Sequence, residues 1–380
     1  MILTVVQTYV SEKQRYANGF VHARVKSYKK NNIDANVFVL QKKEGEDYNI
    51  DGVDVKIGDA KRLLDYIEKD NNISAICFHF FNPYMAKVAK NIKKDIPIFI
   101  FVHGNEVLHW YQRIFPDRFN GIVRILKFIK YVIKNTFSIF KIRGFFKKEK
   151  KNIQIICVSN WMKDVAIKNW KLDLKRNNIK IIPNVINENL FSYAPKHPDL
   201  RYNILMIRNF NSGKYALDIA MDTILELANY PEFNKINVTI FGDGWLFDKY
   251  TSRVKHFKNV TINRKLLSQE QIAEEHKKNG IFLCPTRQDA QGVSMCEAMS
   301  SGLVPIASNN TAIPEFLPNE YNLAYTYPQE LAKRIISIIR EKEEFLDLSE
   351  KVSIFIRNKC SISQTTMKEI NLIKRTENKD

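Results

Sequence analysis

Residues 284–302 read Cys284-Pro-Thr-Arg-Gln-Asp289-Ala-Gln-Gly292-Val-Ser294-Met-Cys-Glu297-Ala-Met-Ser-Ser-Gly302. The apolar run before this stretch, from Ile281, predicts a buried strand, and the apolar spacing from Val293 onward predicts a helix. The turn between them is centred on Gly292. The backbone N–H groups of Gly292, Val293 and Ser294 are therefore expected at a helix N-terminus, which is a ready site for an anion.

Two carboxylates bracket this turn, Asp289 before it and Glu297 one turn into the helix, with seven residues between them. The pattern resembles that of the retaining, nucleotide-sugar-dependent glycosyltransferases of family 4, whose motif is Glu-x7-Glu on a strand, turn and helix. In this chain the first carboxylate is an aspartate. The later stretches Gly302-Leu-Val-Pro305-Ile-Ala-Ser308 and Ile313-Pro-Glu315-Phe are also similar to that family.

Apolar strands alternate with helices along the chain, which predicts parallel sheets covered on both faces. The alternation stops at a polar, proline-containing connection, residues 187–202, and then restarts. We therefore predict an α/β protein, and the resemblance implies the GT-B fold, in which two doubly wound Rossmann-like domains face a central cleft. The expected parts are an acceptor-binding domain over 1–186, a donor-binding domain over 200–360, and a tail over 361–380 that returns to the first domain.

His103 and Gly104 follow the predicted strand at 96–102. In open α/β sheets, ligands bind beyond the carboxyl ends of the strands. In the resembled family a histidine at this point lines the transferred sugar, so the resemblance implies a catalytic role for His103. A strand-end histidine that only packs or caps a turn is the alternative.

Arg208 follows the predicted strand at 203–207, and Lys214 opens the next helix. A nucleoside diphosphate develops negative charge as the glycosidic bond breaks, and two fixed cations can stabilise that charge without a metal. The resembled family places an arginine and a lysine at this loop for that purpose. In a chain with 59 lysines and arginines, a merely solvated pair is the alternative.

The remaining candidate site residues complete a donor site. Glu297 is expected to accept hydrogen bonds from the ribose hydroxyls. Asp289, the second expected catalytic residue beside His103, is expected to accept them from the sugar hydroxyls. Gly292, Val293 and Ser294 are expected to hold the diphosphate together with the two cations. Gly19, in the loop after the first strand, would leave room for phosphate or acceptor.

Residues 113–151 carry twelve basic and two acidic residues, a net charge of +10. On a predicted helix from Gly121 to Ile142, one face holds Lys127, Lys130, Lys134 and Lys141, and Ile and Phe residues occupy the broad opposite side. A basic amphipathic helix of this kind is typical of a membrane-surface element. The alternative is an ordinary helix that packs on the core and has a solvated basic face.

The composition of the chain limits its possible partners, its compartment and its class of function. The net charge of +18 implies a negatively charged partner. Five cysteines without metal-ligand spacing favour a reducing compartment, and the start of the chain lacks the features of a signal peptide. The sequence contains none of the known nucleic-acid recognition modules.

We therefore expect a retaining glycosyltransferase that moves a sugar from a nucleoside-diphosphate donor to a lipid-linked or oligosaccharide acceptor, such as a surface polysaccharide. The expected partners include an anionic membrane surface but no nucleic acid, with no cofactor and no metal. The expected location is the cytoplasm, peripherally on the inner face of the cell membrane. Two alternatives remain open: a nucleotide-sugar epimerase on the same scaffold, and a basic nucleic-acid-binding protein.

Overall fold

The computed structural model describes residues 1–12, 18–43, 45–117, 122–148, 153–175 and 177–377. These residues form two compact units. The first unit contains residues 1–112, 129–185 and 362–380, and the second contains 113–128 and 186–361. The predicted basic segment 113–151 and the predicted tail 361–380 therefore lie partly outside the described residues, as does Gly121 at the predicted helix start.

The first unit is built on an eight-stranded sheet in the order β3-β4-β2-β1-β5-β6-β7-β8. All its strand pairs are parallel except that of β3 with β4 at the edge. Every residue of the inner strands β1, β5, β6 and β7 is buried, because helices cover both faces of a parallel sheet. The elements are β1 (Ile2–Val6), α1 (Gly19–Lys30), β2 (Ala35–Leu40), β3 (Tyr48–Ile50), β4 (Val53–Gly58), α2 (Ala60–Lys69), β5 (Ala75–His79), α3 (Pro83–Asn91), β6 (Ile98–Val102), α4 (Ile122–Lys148, which begins in the second unit), β7 (Ile153–Cys157), α5 (Asn160–Trp170) and β8 (Asn178–Ile181).

The second unit has a six-stranded sheet, every pair parallel, in the order β11-β10-β9-β12-β13-β14. Its carboxyl strand ends meet at one edge, where ligand-binding loops are expected. Its elements are β9 (Asn203–Asn209), α6 (Leu217–Leu227), β10 (Asn237–Asp243), α7 (Phe247–Thr251), β11 (Val260–Arg264), α8 (Gln269–Lys278), β12 (Ile281–Cys284), α9 (Val293–Ser300), β13 (Val304–Ser308), β14 (Ala324–Tyr325), α10 (Pro328–Arg340) and α11 (Lys342–Cys360), and the chain then returns to the first unit as α12 (Ile362–Glu377).

α12 packs against α1 through a buried polar cluster. The Arg24 guanidinium donates through Nε to both carboxylate oxygens of Glu369 at 3.0 Å, and Tyr28 donates its hydroxyl to the same carboxylate at 2.6 Å. The side chains of Arg24 and Glu369 are each only 1% exposed. Removing one partner from such a pair typically costs about 3–5 kcal/mol, because it leaves a buried charge uncompensated. This cluster therefore holds the last helix on the first unit.

The beginning of the basic segment belongs to the second unit. The Asp117 carboxylate accepts hydrogen bonds from Lys249 and from the Tyr250 hydroxyl. A Cβ on Gly213 would lie 2.4 Å from the carbonyl oxygen of Pro116, so glycine allows the two backbones to approach. These contacts place residues 113–117 beside the loop that follows β9, a position that was not predicted from the sequence.

Candidate functional site

Arg208 lies near the carboxyl end of β9, within the strand rather than after it, because β9 extends to Asn209. It is 8% exposed, and its Nη1 donates to the Ser294 hydroxyl on α9 at 3.0 Å. The structure therefore brings Arg208 and Ser294, two of the predicted donor-site residues, into direct contact. The contact fixes the guanidinium at the start of the helix, where an anion is favoured.

The turn before α9 is held by Asp289. Its Oδ1 accepts hydrogen bonds from the backbone amides of Gly292 at 3.0 Å and of Gln291 at 3.3 Å. Gly292 has φ 77°, and a Cβ there would lie 2.8 Å from Ile313 Cδ1, so the turn requires glycine.

The structure corrects one prediction. The anion site was expected to use three backbone amides, and one of them is already engaged. The Gly292 N–H is donated to Asp289, so the backbone amides left for an anion are those of Val293 and Ser294. The amides of the first helical turn have no acceptor within the helix and are available to a ligand. Asp289 Oδ1 is likewise engaged, which leaves Oδ2 for a hydroxyl.

Glu297 lies on α9 and is half-buried. Burial raises the pKa of its carboxyl to about 8. At neutral pH the side chain is therefore largely protonated in the absence of a ligand. A carboxyl that titrates near neutrality is a frequent feature of functional sites.

Glu297→Gln is expected to stabilise the fold, and increasingly so as the pH rises. Because the folded-state pKa is raised from its ordinary value of 4.5 to about 8, the folded protein retains a proton that the unfolded chain loses, and stability falls with pH between those values. The neutral amide lacks this loss, so the gain should be about 1 kcal/mol or less at pH 5 and on the order of 3 kcal/mol near pH 7. The free energy of unfolding, measured in urea at both pH values, gives this gain. The exposed Glu320→Gln is the control, and a gain that does not grow with pH would contradict the expectation.

Lys214 lies in a short 3-10 turn over 213–215 that is capped by Ser212, whose hydroxyl accepts from the Lys214 amide at 3.2 Å. Its Nζ is 5.2 Å from the centre of the Tyr215 ring. Its carbonyl oxygen accepts from the backbone amide of Arg287 at 2.8 Å. The turn is thus tied by its backbone to the loop that follows β12, while the Lys214 residue as a whole is half-buried.

Arg287, which was not among the predicted site residues, stabilises this turn through hydrogen bonds. Its guanidinium donates to Asp218 at 2.8 and 2.6 Å and to the carbonyl oxygen of Gly213 at 3.0 Å. Arg287 follows β12 inside the motif quoted at the outset, but no spacing in the sequence distinguishes it from a solvated arginine. Its role could be recognised only once the fold placed Asp218 beside it.

In the first unit, His103 follows β6 as predicted, and its backbone amide donates to the Glu106 carboxylate at 2.5 Å. The ring packs against Phe20 and Phe80, with centroids 4.9 and 4.7 Å away. Phe80 has φ 57°, which is uncommon for an aromatic residue and costly unless the surroundings hold it. Such backbone strain is concentrated at functional sites.

The imidazole of His103 also contacts His79, which ends the neighbouring strand β5. His79 Nδ1 and His103 Nε2 are 2.9 Å apart. His79 is fully buried. The sequence does contain a signal for this pair, since one apolar strand ends in a histidine and the next is followed directly by one, but the spacing of the two residues does not predict their contact.

Gly19 is the first residue of α1, and Phe20 beside it touches His103. A Cβ on Gly19 would meet no atom within 4 Å. The surrounding protein therefore does not require glycine at this position. The prediction that Gly19 leaves room for a phosphate or an acceptor stays a prediction.

On α4, the four predicted membrane-binding residues Lys127, Lys130, Lys134 and Lys141 are all exposed. The helix ends at Lys148, beyond the predicted end at Ile142. The apolar residues of α4 fall into two sets, which were not separated in the prediction. The buried residues of this helix are Asn135, Ile139, Ile142, Phe145 and Phe146, and its exposed large apolar residues are Ile122, Val123, Ile125, Leu126, Ile129, Ile133, Phe137 and Phe140.

Within the described residues, no helix combines the length and the low charge needed to cross a bilayer. Over the same residues, no three or more His, Cys, Asp or Glu side chains lie together as ligands for a metal ion. All five cysteines are buried and free.

The second unit is similar to known proteins in sequence. Residues 201–341 match the family model described as "Glycosyl transferases group 1". A curated relative, the phosphatidylinositol N-acetylglucosaminyltransferase gpi3 subunit of Schizosaccharomyces pombe, is 25% identical over 209 residues, which are 53% of this chain and 43% of the relative. The match thus spans less than half of that relative's length.

Solved structures match the whole chain. A glycosyltransferase from Rickettsia africae superposes with a TM-score of 0.68 at 15% identity, over 100% of this chain and 99% of that one. The Anabaena protein HepE, in complex with UDP and glucose, has a TM-score of 0.67 at 12% identity, with 98% and 99% covered. The two-domain α/β fold predicted from the sequence, that of the GT-B glycosyltransferases, is confirmed. The predicted enzyme class, a glycosyltransferase, is also confirmed, and residues 201–341 are the part that matches the group 1 family model.

Proposed function

We propose that this glycosyltransferase belongs to family 4 and transfers a sugar, with retention of configuration, from a nucleoside-diphosphate donor to a lipid-linked or oligosaccharide acceptor. The observation that carries the proposal is the contact between Arg208 and Ser294 at the start of α9. It fixes a buried cation beside helix amides, at the strand edge where α/β sheets bind phosphate groups.

Charge stabilisation of the leaving diphosphate would be the main contribution to catalysis. Arg208 and Lys214 supply two positive charges, and the amides of Val293 and Ser294 supply further hydrogen bonds. A fixed cation needs no reorganisation as the negative charge develops. The proposed reaction therefore uses no metal and no cofactor.

The two carboxylates would orient the donor. Asp289 Oδ2, which the turn leaves free of the amides, would accept a hydrogen bond from a sugar hydroxyl. Glu297 would accept from the ribose, and a hydroxyl donor favours the ionised form, so donor binding should release a proton from this group. His103 would contact the transferred sugar.

Known proteins support the choice of donor and acceptor classes. HepE was crystallised with UDP and glucose, and a mutant of the S. aureus protein TarM with UDP and alpha-GlcNAc-glycerol, so a UDP-sugar is the first donor to test. The curated relative is named for transfer to phosphatidylinositol, which favours a lipid acceptor.

α4 would bring the enzyme to an anionic membrane surface. At about 100° per residue, six exposed apolar residues fall within an arc of about 80°, and the four lysines lie along one side of that arc. Apolar side chains beside lysines suit the boundary between lipid headgroups and acyl chains. These apolar residues are Ile122, Leu126, Ile129, Ile133, Phe137 and Phe140. The proposed location is peripheral, on the cytoplasmic face of the cell membrane.

The test of the function is a transfer assay with UDP- and GDP-sugars labelled in the sugar, in the presence of a total lipid extract. Label should pass to lipid from one donor class, and EDTA should not change the rate. An isomerised nucleotide sugar formed without acceptor would instead identify an epimerase. No conversion of any donor, by a preparation that is folded and binds lipid, would contradict the proposal.

The stereochemical prediction concerns the product of that assay. The anomeric configuration of the donor should be retained, as the resemblance to family 4 implies. The coupling constant of the anomeric proton in the product distinguishes the two outcomes. An inverted linkage would remove this chain from the retaining mechanism even if transfer itself is observed.

A further inference from the structure

A cavity of about 180 Å³ lies beside the loop that leads into Lys214, where β9 and β10 end. Its walls come from the second unit alone: residues 211–213 after β9, Trp245 after β10, residues 115–117, and the first turns of α4. A water molecule occupies about 30 Å³ in the liquid, so this volume admits a phosphate group. The residues of the proposed donor site do not line the cavity, which is therefore a separate place for a ligand.

Two cations of α4, Arg124 and Lys127, line this cavity. Asp117 lines it too, but its carboxylate accepts hydrogen bonds from Lys249 and from the Tyr250 hydroxyl. The described part of the chain therefore offers the two cations no uncommitted carboxylate here. Residues three apart on a helix are neighbours, and like charges at that spacing repel each other. An anion bound between Arg124 and Lys127 would remove this repulsion.

Arg124 is held in place by an aromatic ring. Its Cζ lies 3.3 Å from the centre of the Trp245 ring. The indole is itself fixed, because its Nε1–H donates to the Asn211 carbonyl oxygen at 3.0 Å and its backbone N–H donates to Asn211 Oδ1 at 3.3 Å. Stacking engages the flat face of a guanidinium and leaves the N–H groups in its plane for a ligand. Those N–H groups form a fork that fits two oxygens of a phosphate.

The first turns of α4 also indicate where such a phosphate would come from. At about 100° per residue, Ile122 and Leu126 lie on the side of the helix opposite to Arg124 and Phe128, with Lys127 between the two sides. Ile122 and Leu126 are 76% and 61% exposed. If these two residues enter a bilayer, the cavity lies about 10 Å further out, one helix diameter away. A phosphate at the outer end of a lipid headgroup reaches that level, whereas a phosphate attached to the glycerol backbone stays beside the acyl chains.

We propose that this cavity binds a phosphate monoester at the outer end of a membrane lipid's headgroup, with Arg124 holding two of its oxygens and Lys127 neutralising its charge. A monoester has three terminal oxygens and a charge of about −1.5 to −2 at pH 7, which matches two cations. The phosphate as ligand rests on the cavity, its cations and Trp245. The lipid as its source rests on the proposed function, in which α4 lies on a membrane. The site would let the enzyme select among anionic lipids, which exposed lysines alone do not do.

The first experiment uses the soluble headgroup glycerophosphoinositol 4-phosphate, which carries the monoester but no acyl chain. The full chain is titrated with it and followed by 31P NMR, in the presence of UDP to occupy the proposed donor site. The wild type should bind, and Arg124→Gln should weaken binding at least tenfold, the loss of a hydrogen-bonded pair of charged groups. Lys255→Gln removes an exposed charge elsewhere in the same unit and should bind as the wild type does. No binding by the wild type, or equal affinity of Arg124→Gln, would overturn the phosphate site.

The second experiment identifies the source of the phosphate. Phosphatidylcholine vesicles that contain either phosphatidylinositol 4-phosphate or phosphatidylserine are adjusted to equal zeta potential and sedimented with the protein. The wild type should prefer the phosphatidylinositol 4-phosphate vesicles about tenfold, and Arg124→Gln should bind both kinds equally. Lys134→Gln removes a charge of α4 that does not line the cavity, so it should weaken binding to both kinds alike and keep the preference.

The outcomes of the two experiments separate the phosphate site from the proposed function. A wild type that binds the soluble headgroup but shows no preference between the vesicles would overturn the lipid as the source. A preference that folded Arg124→Gln retains would overturn the cavity as the site. A wild type that transfers no sugar but shows the preference, and loses it in Arg124→Gln, would contradict the proposed function and leave this site in place. Circular dichroism and the melting temperature establish that each variant is folded.

Discussion

Lys214→Ala is expected to lower turnover at least tenfold while the fold survives. The Nζ of Lys214 would meet the diphosphate, and a hydrogen bond to a charged group contributes about 1.5–3 kcal/mol, which corresponds to a tenfold or greater loss in rate. The side chain contributes little to the fold, because the turn at 213–215 is held through the Ser212 cap and through the Lys214 backbone.

The loss should fall mainly on kcat, since the leaving group is more negative in the transition state than in the bound donor. Steady-state kinetics with the donor identified in the transfer assay measures kcat and KM separately. Lys255→Ala removes an equally positive, exposed residue of the same unit and serves as the control. If folded Lys214→Ala turns over at the wild-type rate, Lys214 is a solvated lysine and the donor site has been misplaced.

The fold could be predicted from the sequence because its strongest signals are local. Uninterrupted apolar runs such as 98–102 and 281–284 identify buried parallel strands before any contact is known. A helix start is also a local signal, because serine favours the N-cap position, and the Ser159 hydroxyl accepts from the Met162 amide at 3.1 Å at the start of α5. The end of α4 was missed by six residues, because Arg143 and Gly144 interrupt the apolar spacing while tertiary contacts continue the helix to Lys148.

The site was predictable at the level of strand ends but not of side-chain pairs. Arg208 and Ser294 are far apart in the sequence, and only the register of β9 beside β12 brings them together. The same holds for His79 and His103, on the neighbouring strands β5 and β6. The hydrogen bond between Asp289 and the Gly292 amide depends on the conformation of the turn, which residue spacing does not specify.

The other large effect is expected on α4. Changing Lys127, Lys130, Lys134 and Lys141 together to Gln should abolish binding to anionic vesicles. Each lysine near such a surface contributes about 1 kcal/mol, so the four removals should weaken binding roughly a thousandfold. The side chains are exposed, so the fold should tolerate the change.

Sedimentation with vesicles that contain anionic lipid measures this binding over a range of salt concentrations. The parent protein should bind at low salt and dissociate as salt rises, because the Debye length shortens to about 8–10 Å at 0.10–0.15 M. The matched control carries the same loss of charge elsewhere, at the exposed residues Lys235, Lys255, Lys258 and Lys333. This control variant should bind vesicles nearly as the parent does, because the proposed cause of binding is the position of the lysines on α4 and not the net charge of the protein.

The exposed apolar residues of α4 can be tested separately from its lysines. Ile129→Ser, Ile133→Ser and Phe137→Ser together remove exposed apolar surface without changing the charge. Insertion of apolar side chains is not screened by salt, so this variant should bind anionic vesicles more weakly than the parent at low salt and should still dissociate as salt rises. If the lysine variant and the apolar variant both bind vesicles as the parent does, α4 is a structural element and the acceptor need not be a lipid.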